Sequence, residues 1–196
     1  MAEKSPITDR EREEVVKYLK SNHFASGRMS DEKYDMLVAT RLQDIVSPRQ
    51  ALKVLGIDES QVQEIPPVCF HGYLFDDDTL EEMGVNILSA VGQDGEWRSS
   101  AYMVTWIFFG NDEIYFYQEV FCLNADYGWI STDEIFYTDV EAFYTLTTKE
   151  EGKKTETAFY IMQPGRKKEV RLTMNERNMA AIEGMKQKLR EKKLQK

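Results

Sequence analysis

The second half of this chain alternates short aromatic-rich segments with turn signals and ends in a single amphipathic helical pattern. From about residue 99 to residue 173, β-branched and aromatic runs are separated by clusters of glycine, asparagine and aspartate, which is typical of strands joined by tight turns. The pattern that follows places four apolar residues on one helical stripe, namely Met179, Ile182, Met185 and Leu189. Few folds close several strands with one terminal helix, so this pattern predicts an α+β fold.

The apolar runs predict eight strands and one helical turn. We expect strands over residues 68–75, 85–91, 101–109, 114–123, 129–137, 140–147, 157–162 and 169–172. A single helical turn is expected at residues 79–83. The strand over 114–123 alternates, which assigns one face to Ile114, Phe116, Gln118, Val120 and Cys122. The terminal helix is expected to begin at a capping box formed by Thr173 and Glu176, as in other helices that start with this spacing.

The first 66 residues carry start and stop signals for three helices. A capping box at Thr8 and Glu11 begins the first, Ser30-Asp31 begins the second and Ser47-Pro48 begins the third. Consecutive prolines at 66 and 67 lack amide donors and end helical structure. We therefore divide the chain into an N-terminal helical unit (1–66), a connecting segment with short strands (67–97) and a β domain with its terminal helix (98–196).

Composition indicates a globular chain with a real core, because 42% of its residues are hydrophobic and 12% are aromatic. No apolar run approaches the roughly 20 residues that cross a bilayer. Cys69 and Cys122 are the only cysteines, and nothing in their spacing indicates a disulfide. These features predict a cytoplasmic, reduced protein.

The net charge of −9 is unevenly distributed, with −2 in residues 1–66, −14 in residues 67–165 and +7 in residues 166–196. The acidic middle disfavours nucleic acid, because binding a polyanion requires lysine and arginine against its phosphates. The basic end contains the candidate partner-binding residues Arg166, Lys167, Lys168, Lys186 and Arg190. The alternative is a solvated turn and a cationic helix end that complements the helix dipole.

The sequence contains no recognised catalytic motif: it has no glycine-rich phosphate loop, nucleophile elbow or metalloprotease helix motif. Cys69 and His71 stand at alternate positions, but a metal site needs several convergent ligands, and only His23 and Cys122 remain as further soft ones. An acidic turn at residues 76–78 is more often solvated than metal-binding. We therefore expect no catalytic residue, no metal and no cofactor.

Residues 98–193 resemble the bacterial pleckstrin-homology-like (PH-like) domains. The resemblance depends on residues 102–109 (YMVTWIFF), on residues 135–140 (IFYTDV) and on the helix that follows the last strand. It implies an antiparallel β-barrel or sandwich capped by one C-terminal helix. An unrelated antiparallel α+β domain is the alternative.

The N-terminal unit resembles the SHOCT and DUF1707 modules of bacterial proteins, which are short helical hairpins. Residues 15–19 (VVKYL) and residues 27–35 (GRMSDEKYD) carry this resemblance, and any capped helical hairpin would share much of it. The resemblance implies a bacterial protein. It leaves open whether the unit is an independent domain or packs on the β domain.

In PH domains that bind phosphoinositides, the loop between the first two strands carries several lysines and arginines. We assign that loop here to residues 110–113, which contain no cation and two anions. A phosphate at this loop would be repelled, so the resemblance does not imply phosphoinositide binding here.

Three functions follow from these observations, and the first is favoured. The chain is expected to be a non-catalytic interaction or scaffolding module that binds a protein or peptide, with self-association through its acidic and basic segments also open. The first alternative is a peripheral adaptor for anionic membrane surfaces that uses the basic C-terminal region. The second is a carboxylate-dependent hydrolase.

Overall fold

The computed structural model of this chain describes residues 7–21, 27–45, 47–62, 66–148, 156–172 and 176–194. Within these ranges the chain forms five α-helices: α1 (Asp9–Lys20), α2 (Asp31–Ile45), α3 (Pro48–Leu55), α4 (Asp78–Glu82) and α5 (Glu176–Leu194). The predicted capping box of α1 is confirmed, because the Glu11 amide donates to Thr8 Oγ1 at 3.3 Å and the Thr8 amide donates to Glu11 Oε2 at 2.8 Å. Thr173 lies outside the described residues, so the capping box of α5 stays a prediction.

In the described part of the chain, nine strands form three sheets. The strands are β1 (Val68–Leu74), β2 (Ser89–Val91), β3 (Trp97–Ser99), β4 (Ala101–Phe109), β5 (Glu113–Cys122), β6 (Gly128–Phe136), β7 (Ala142–Thr148), β8 (Glu156–Gln163) and β9 (Arg166–Leu172). The four-stranded sheet has the order β1-β4-β5-β6, the two-stranded sheet pairs β2 with β3, and the three-stranded sheet has the order β7-β8-β9. The predicted α+β class is confirmed, whereas closure into a barrel or sandwich stays a prediction.

The predicted strands correspond closely to those observed, with three main differences. Strand β9 begins at Arg166, three residues earlier than the predicted start at residue 169. The other two differences lie before β4. Only Ser89–Val91 of the expected strand 85–91 is extended, and Trp97–Ser99 is a strand that we did not predict. The two segments are the arms of a short antiparallel hairpin whose turn contains Gly95 at φ +83°. Three residues are too few to show alternation, which explains why the second arm was missed.

The loop that we matched to the phosphoinositide loop joins β4 to β5, the first two strands expected within residues 98–193. Strand β1, which lies at one edge of the same four-stranded sheet, precedes that region of the chain. Residues 110–113 contain no cation and two anions. The correspondence of this loop to the phosphoinositide loop stays a prediction.

The chain divides into two compact units. Unit 1 contains Met1–Val46, Tyr73–Met103 and Glu119–Trp129, and unit 2 contains Ser47–Gly72, Val104–Gln118 and Ile130–Lys196. The first 66 residues are thus distributed over both units. The three-part division proposed from the sequence stays a prediction.

Unit 1 contains a row of aromatic rings and a small apolar core. Neighbouring ring centroids lie 4.5–6.4 Å apart along Tyr18, Tyr34, Tyr73, Tyr102 and Phe121. The apolar core consists of Leu74, Leu80, Val85, Ala101, Met103, Val120 and Cys122. Offset or tilted aromatic pairs at these spacings contribute about 0.5–1.5 kcal/mol each beyond the area they bury. The row therefore joins the first two helices to three strands.

Unit 2 has one core that combines side chains from both larger sheets and α5. Its members include Phe70, Ile107, Phe116, Ile135, Phe159 and Val170 from the strands. From α5 it receives Ile182, Met185 and Leu189, as the helical stripe predicted. Met179, the first residue of that stripe, is 52% exposed.

Both faces of β5 are buried, not only the face that the alternation assigned to Ile114 and the residues that share it. Every residue from Ile114 to Cys122 is buried, and so is every residue of β4. These are the two central strands of the four-stranded sheet, where neither strand has a free edge. The intervening side chains of Tyr115, Tyr117 and Glu119 are therefore buried as well.

A substitution at Gly92 tests how tightly unit 1 is packed around the turn between β2 and β3. A Cβ atom at this position would lie 2.3 Å from Arg98 Nη1, 2.6 Å from Asp94 Oδ1 and 2.7 Å from Asp31 Oδ2. We expect Gly92→Ala to lower the free energy of unfolding by about 2 kcal/mol, because overpacking displaces this charged cluster. Urea unfolding followed by circular dichroism measures the change.

Gly184→Ala on α5 is the matched control. Nothing lies within 4 Å of a Cβ at that position, so the substitution should raise stability by about 0.5–1 kcal/mol through helix propensity. Equal effects of the two substitutions would contradict the packing described for Gly92.

Candidate functional site

A buried arginine holds three aspartates in unit 1. Arg98 on β3 is 4% exposed and donates from Nε and Nη2 to both oxygens of Asp35 at 2.8 and 2.7 Å. It donates from Nη1 and Nη2 to both oxygens of Asp94 at 2.9 and 2.7 Å. Asp31 Oδ2 lies 4.0 Å from Nη1. Two bidentate carboxylates thus use the planar guanidinium fork that lysine lacks.

Asp31 is the most buried of the three carboxylates, at 8% exposed. Burial acts to raise its pKa, but hydrogen bonds from the Tyr18 hydroxyl and from the amides of Asp94 and Gln93 outweigh burial, and its pKa is lowered. The hydrogen bonds from Arg98 likewise lower the pKa of Asp94. Both groups therefore stay ionised at neutral pH, so neither can serve there as a general acid.

The cluster connects α2 to the hairpin of β2 and β3. Asp31 and Asp35 lie on the first two turns of α2, while Asp94 lies in the hairpin turn. The Tyr34 hydroxyl adds a hydrogen bond to the Ser99 carbonyl at 2.8 Å. This arrangement has a structural role, because the guanidinium and the carboxylates are paired with one another.

Three of the five basic residues predicted as a partner surface lie together on β9, and two of these are neutralised within unit 2. Asp133 on β6 accepts a hydrogen bond from Arg166 at 2.5 Å and lies 3.5 Å from Lys168 Nζ. Lys168 is 9% exposed, and its ammonium lies 5.5 Å from the centre of the Phe116 ring. Burial lowers the pKa of Lys168, and the Asp133 charge opposes that change.

The remaining predicted residues, which Asp133 does not neutralise, are Lys167, Lys186 and Arg190, and each has its own neighbours. Lys167 lies over the Tyr160 ring at 4.4 Å and is 3.9 Å from Glu169. On α5, Lys186 pairs with Glu183 at 3.4 Å, and the Arg190 guanidinium lies 6.0 Å from the Phe143 ring centre. The predicted residues therefore lie on two elements, β9 and α5, and their role in binding a partner stays a prediction.

Unit 2 contains a groove that the sequence pattern did not predict, which we call the proline–helix groove. It has a volume of about 420 Å³ and is lined by Pro66 and Pro67, the first two residues of β1, Trp106 of β4, and Gly184 and Lys188 of α5. A proline pair before a strand and a glycine inside an amphipathic helix were the signals that could have identified it. Neither signal indicates a groove until the helix and the strand are placed together.

Trp106 is the largest side chain of the proline–helix groove. It is 7% exposed and stacks on Phe108, with ring centroids 5.9 Å apart. Its indole nitrogen is buried and has no hydrogen-bond partner among the described residues. A buried, unpaired donor costs about 1–3 kcal/mol, so an acceptor that reached it would gain that amount.

The candidate metal ligands that the structure describes do not form a metal site. Among the described residues, no three side chains of histidine, cysteine, aspartate or glutamate are grouped as a metal ion requires. Cys69 and Cys122 are both buried and form no disulfide. His23 lies outside the described residues.

Comparison with known proteins identifies no relative: no family model, no curated protein and no solved structure matches this chain. Within the described ranges, no helix is both long and apolar enough to cross a membrane.

The aspartates around Arg98 predict a specific acid sensitivity. The pKa values of Asp31 and Asp94 are lowered in the folded protein, so the contribution of these two residues to stability is complete above the ordinary aspartate pKa of about 4 and is lost as the pH falls below it. We expect the free energy of unfolding of Asp94→Asn to fall less steeply with acidification than that of the wild type. Urea unfolding at a series of pH values measures this slope. Asp78→Asn, at an exposed aspartate of α4, should keep the wild-type slope, and an unchanged slope in Asp94→Asn would contradict the role of the cluster.

The buried pair of Asp133 and Lys168 predicts unequal effects of removing either partner. Asp133→Asn leaves Lys168 buried without its counter-charge and should lower the free energy of unfolding by about 3 kcal/mol. Lys168→Met removes the costly buried ammonium, while Arg166 still neutralises Asp133, so stability should stay the same or rise. Thermal and urea unfolding of both variants measure the difference. Equal losses from the two substitutions would show that the pair is not held as described.

Proposed function

We propose that this chain is a non-catalytic interaction module, and that its proline–helix groove binds an extended, mainly apolar segment of another protein. The observation that carries this proposal is the groove itself, about 420 Å³ in volume, with prolines on one side, a helix on the other and a tryptophan among its lining residues. Concave, largely apolar surfaces with an aromatic anchor are the usual binding sites for peptide segments.

The helical wall of the groove favours an extended backbone. Gly184 leaves open space, because nothing lies within 4 Å of the position that a Cβ would take. A peptide backbone can therefore approach α5 more closely there than at any larger residue. Pro66 and Pro67 offer rigid apolar surface without amide donors.

The charge of the groove selects an acidic ligand. Lys188 is the one charged side chain among its described lining residues, and it lies on the cationic half of α5 with Lys186 and Arg190. A carboxylate in the bound segment, or its C-terminus, would complement this helix. We therefore infer an apolar segment that carries at least one acidic group.

The two alternative functions receive less support from the described residues. An adaptor for anionic membranes would use the basic residues of β9, but Arg166 and Lys168 are already engaged by Asp133. A carboxylate-dependent hydrolase would need an acid with a raised pKa, whereas Asp31 and Asp94 have lowered ones.

The PH-like resemblance is consistent with this proposal but is not required by it. Strands β4 to β9 are followed by the helix α5, and the resemblance implies strands followed by one C-terminal helix. The connection between β4 and β5, residues 110–112, contains no cation. Binding through this connection to a phosphoinositide is therefore not part of the proposed function.

A random peptide library displayed on phage tests the proposed function. Selection against the full chain should enrich apolar peptides that carry an acidic residue or a free carboxyl end. Fluorescence polarisation with the synthetic peptides should show binding that weakens at least about tenfold in Gly184→Leu, which fills the groove, and in Lys188→Glu, which reverses its charge.

Gln187→Leu is the matched control, because this exposed residue of α5 does not line the groove and should keep the wild-type affinity. Peptides whose affinity is the same for all variants would place binding outside the groove and contradict the proposal. Sedimentation with phosphatidylserine vesicles tests the membrane alternative separately, and salt-sensitive binding that Lys167→Glu abolishes would favour that alternative.

A further inference from the structure

Strand β7 is an edge strand without the features that normally protect a sheet edge. It runs from Ala142 to Thr148 and pairs on one side with β8, with no strand on its other side in the described part of the chain. Its sequence, AFYTLTT, contains no charge, no proline and no glycine. Every residue except Ala142 is β-branched, aromatic or leucine. Such an uncharged edge of high β-propensity readily accepts another strand.

The other edges of the two larger sheets are protected. Strand β9 contains five charged residues out of seven, and β6 contains Asp133 and Glu134. Strand β1 is preceded directly by Pro66 and Pro67 and contains Gly72. Charges, prolines and glycines are the usual means of blocking edge-to-edge pairing. The absence of all three from β7 therefore sets it apart from these edges.

The outward face of β7 is apolar. Tyr144 is 41% exposed and Leu146 is 51% exposed, and Tyr144 stacks on Tyr160 of β8 with ring centroids 5.0 Å apart. The inward face directs Phe143 toward the core of unit 2, where it stacks on Phe159. Because side chains alternate, burying Phe143 requires Tyr144 and Leu146 to face away from that core.

We propose that β7 pairs with β7 of a second copy of this chain, antiparallel and about a two-fold axis at Thr145. The resulting interface is isologous and joins two three-stranded sheets into one sheet of six strands. This register places Tyr144 opposite Leu146 of the second copy and Phe143 opposite Thr147. Ala142 and Thr148 are then opposite each other at both ends.

The charge of the chain makes β7 a more favourable place than the other sheet edges for a second copy to bind. Each copy carries a formal net charge of −9, so two copies repel each other, and they associate at least cost where the contacting strands are neutral. The proposed register has no charged residue within either β7. Self-pairing at β9 would instead bring two copies of Arg166, Lys167 and Lys168 together.

Thr145 provides a second, independent observation. Its hydroxyl oxygen is buried and has no hydrogen-bond partner among the described residues. On the two-fold axis, this residue lies beside Thr145 of the second copy. Hydrogen bonds between threonines on adjacent strands stabilise sheets, and the chain already contains one between Thr147 and Thr157 at 3.1 Å.

Sedimentation velocity of the full chain over a concentration series tests the proposal. The wild type should show a concentration-dependent monomer–dimer equilibrium, and Leu146→Lys should weaken the dimer at least about tenfold, because each lysine appears twice across the axis. Ile130→Lys is the matched control, since Ile130 on β6 is 50% exposed and should leave the equilibrium unchanged. Circular dichroism establishes that each variant is folded.

Disulfide trapping tests the register directly. In an antiparallel pair, residues opposite each other have Cα atoms about 4.5–5.5 Å apart, within the range of a disulfide. Thr145→Cys should therefore form a covalent dimer under mild oxidation. The wild type, whose two cysteines are buried, should not, and neither should Thr132→Cys at the centre of β6.

Two results would overturn the proposal. One is a monomer at all concentrations together with no covalent dimer of Thr145→Cys. The other is a dimer that survives Leu146→Lys but is lost in Ile130→Lys or trapped by Thr132→Cys, which would place the interface at β6. Neither result depends on peptide binding in the proline–helix groove, so the two proposals fail separately.

Discussion

The single core of unit 2 determines which surfaces of that unit are available for binding. Phe70, Ile107, Phe159 and Met185 come from two sheets and the terminal helix, and each must turn toward the same volume. Once these side chains are placed, strand alternation decides the direction of their neighbours. Cys69 beside Phe70, and Trp106 beside Ile107, lie on the opposite side of their strands from the core residues. The groove and the exposed face of β7 are both consequences of that core.

Unit 1 is stabilised by a different kind of interaction. A buried arginine is costly to desolvate, and it is retained only because its aspartates complete nearly all of its hydrogen bonds. Apolar packing depends mainly on volume, whereas Arg98 requires oxygen atoms in the plane of its guanidinium. The orientation of α2 against the hairpin is therefore set by the directions of the Arg98 hydrogen bonds as well as by side-chain packing. Charges used in this way are unavailable for catalysis.

Local patterns predicted most of the secondary structure, whereas the sites depended on partners that are distant in sequence. Residues 101–109 were predicted to be a strand and are one, because nine consecutive residues that are apolar or β-branched, without a breaker, have few alternatives. The basic residues of β9 read as a free cluster because Asp133, which neutralises two of them, is 33 residues from Arg166. Arg98 and Asp35 are 63 residues apart, and no periodicity joins them. Ion pairs of this kind follow from topology, which the sequence pattern alone did not provide.

The wide sequence separation of the residues in the unit 2 core also constrains how the chain folds during synthesis. The residues of the core range in sequence from Phe70 to Leu189. The first strand therefore cannot complete its core contacts until nearly all later elements have been synthesised. Contacts so distant in sequence make closure slow, since a long loop must be ordered before they form. During that interval the apolar faces of β4, β5 and β8 lack the helix that covers them. We therefore expect the nascent chain to depend on chaperones until α5 has docked.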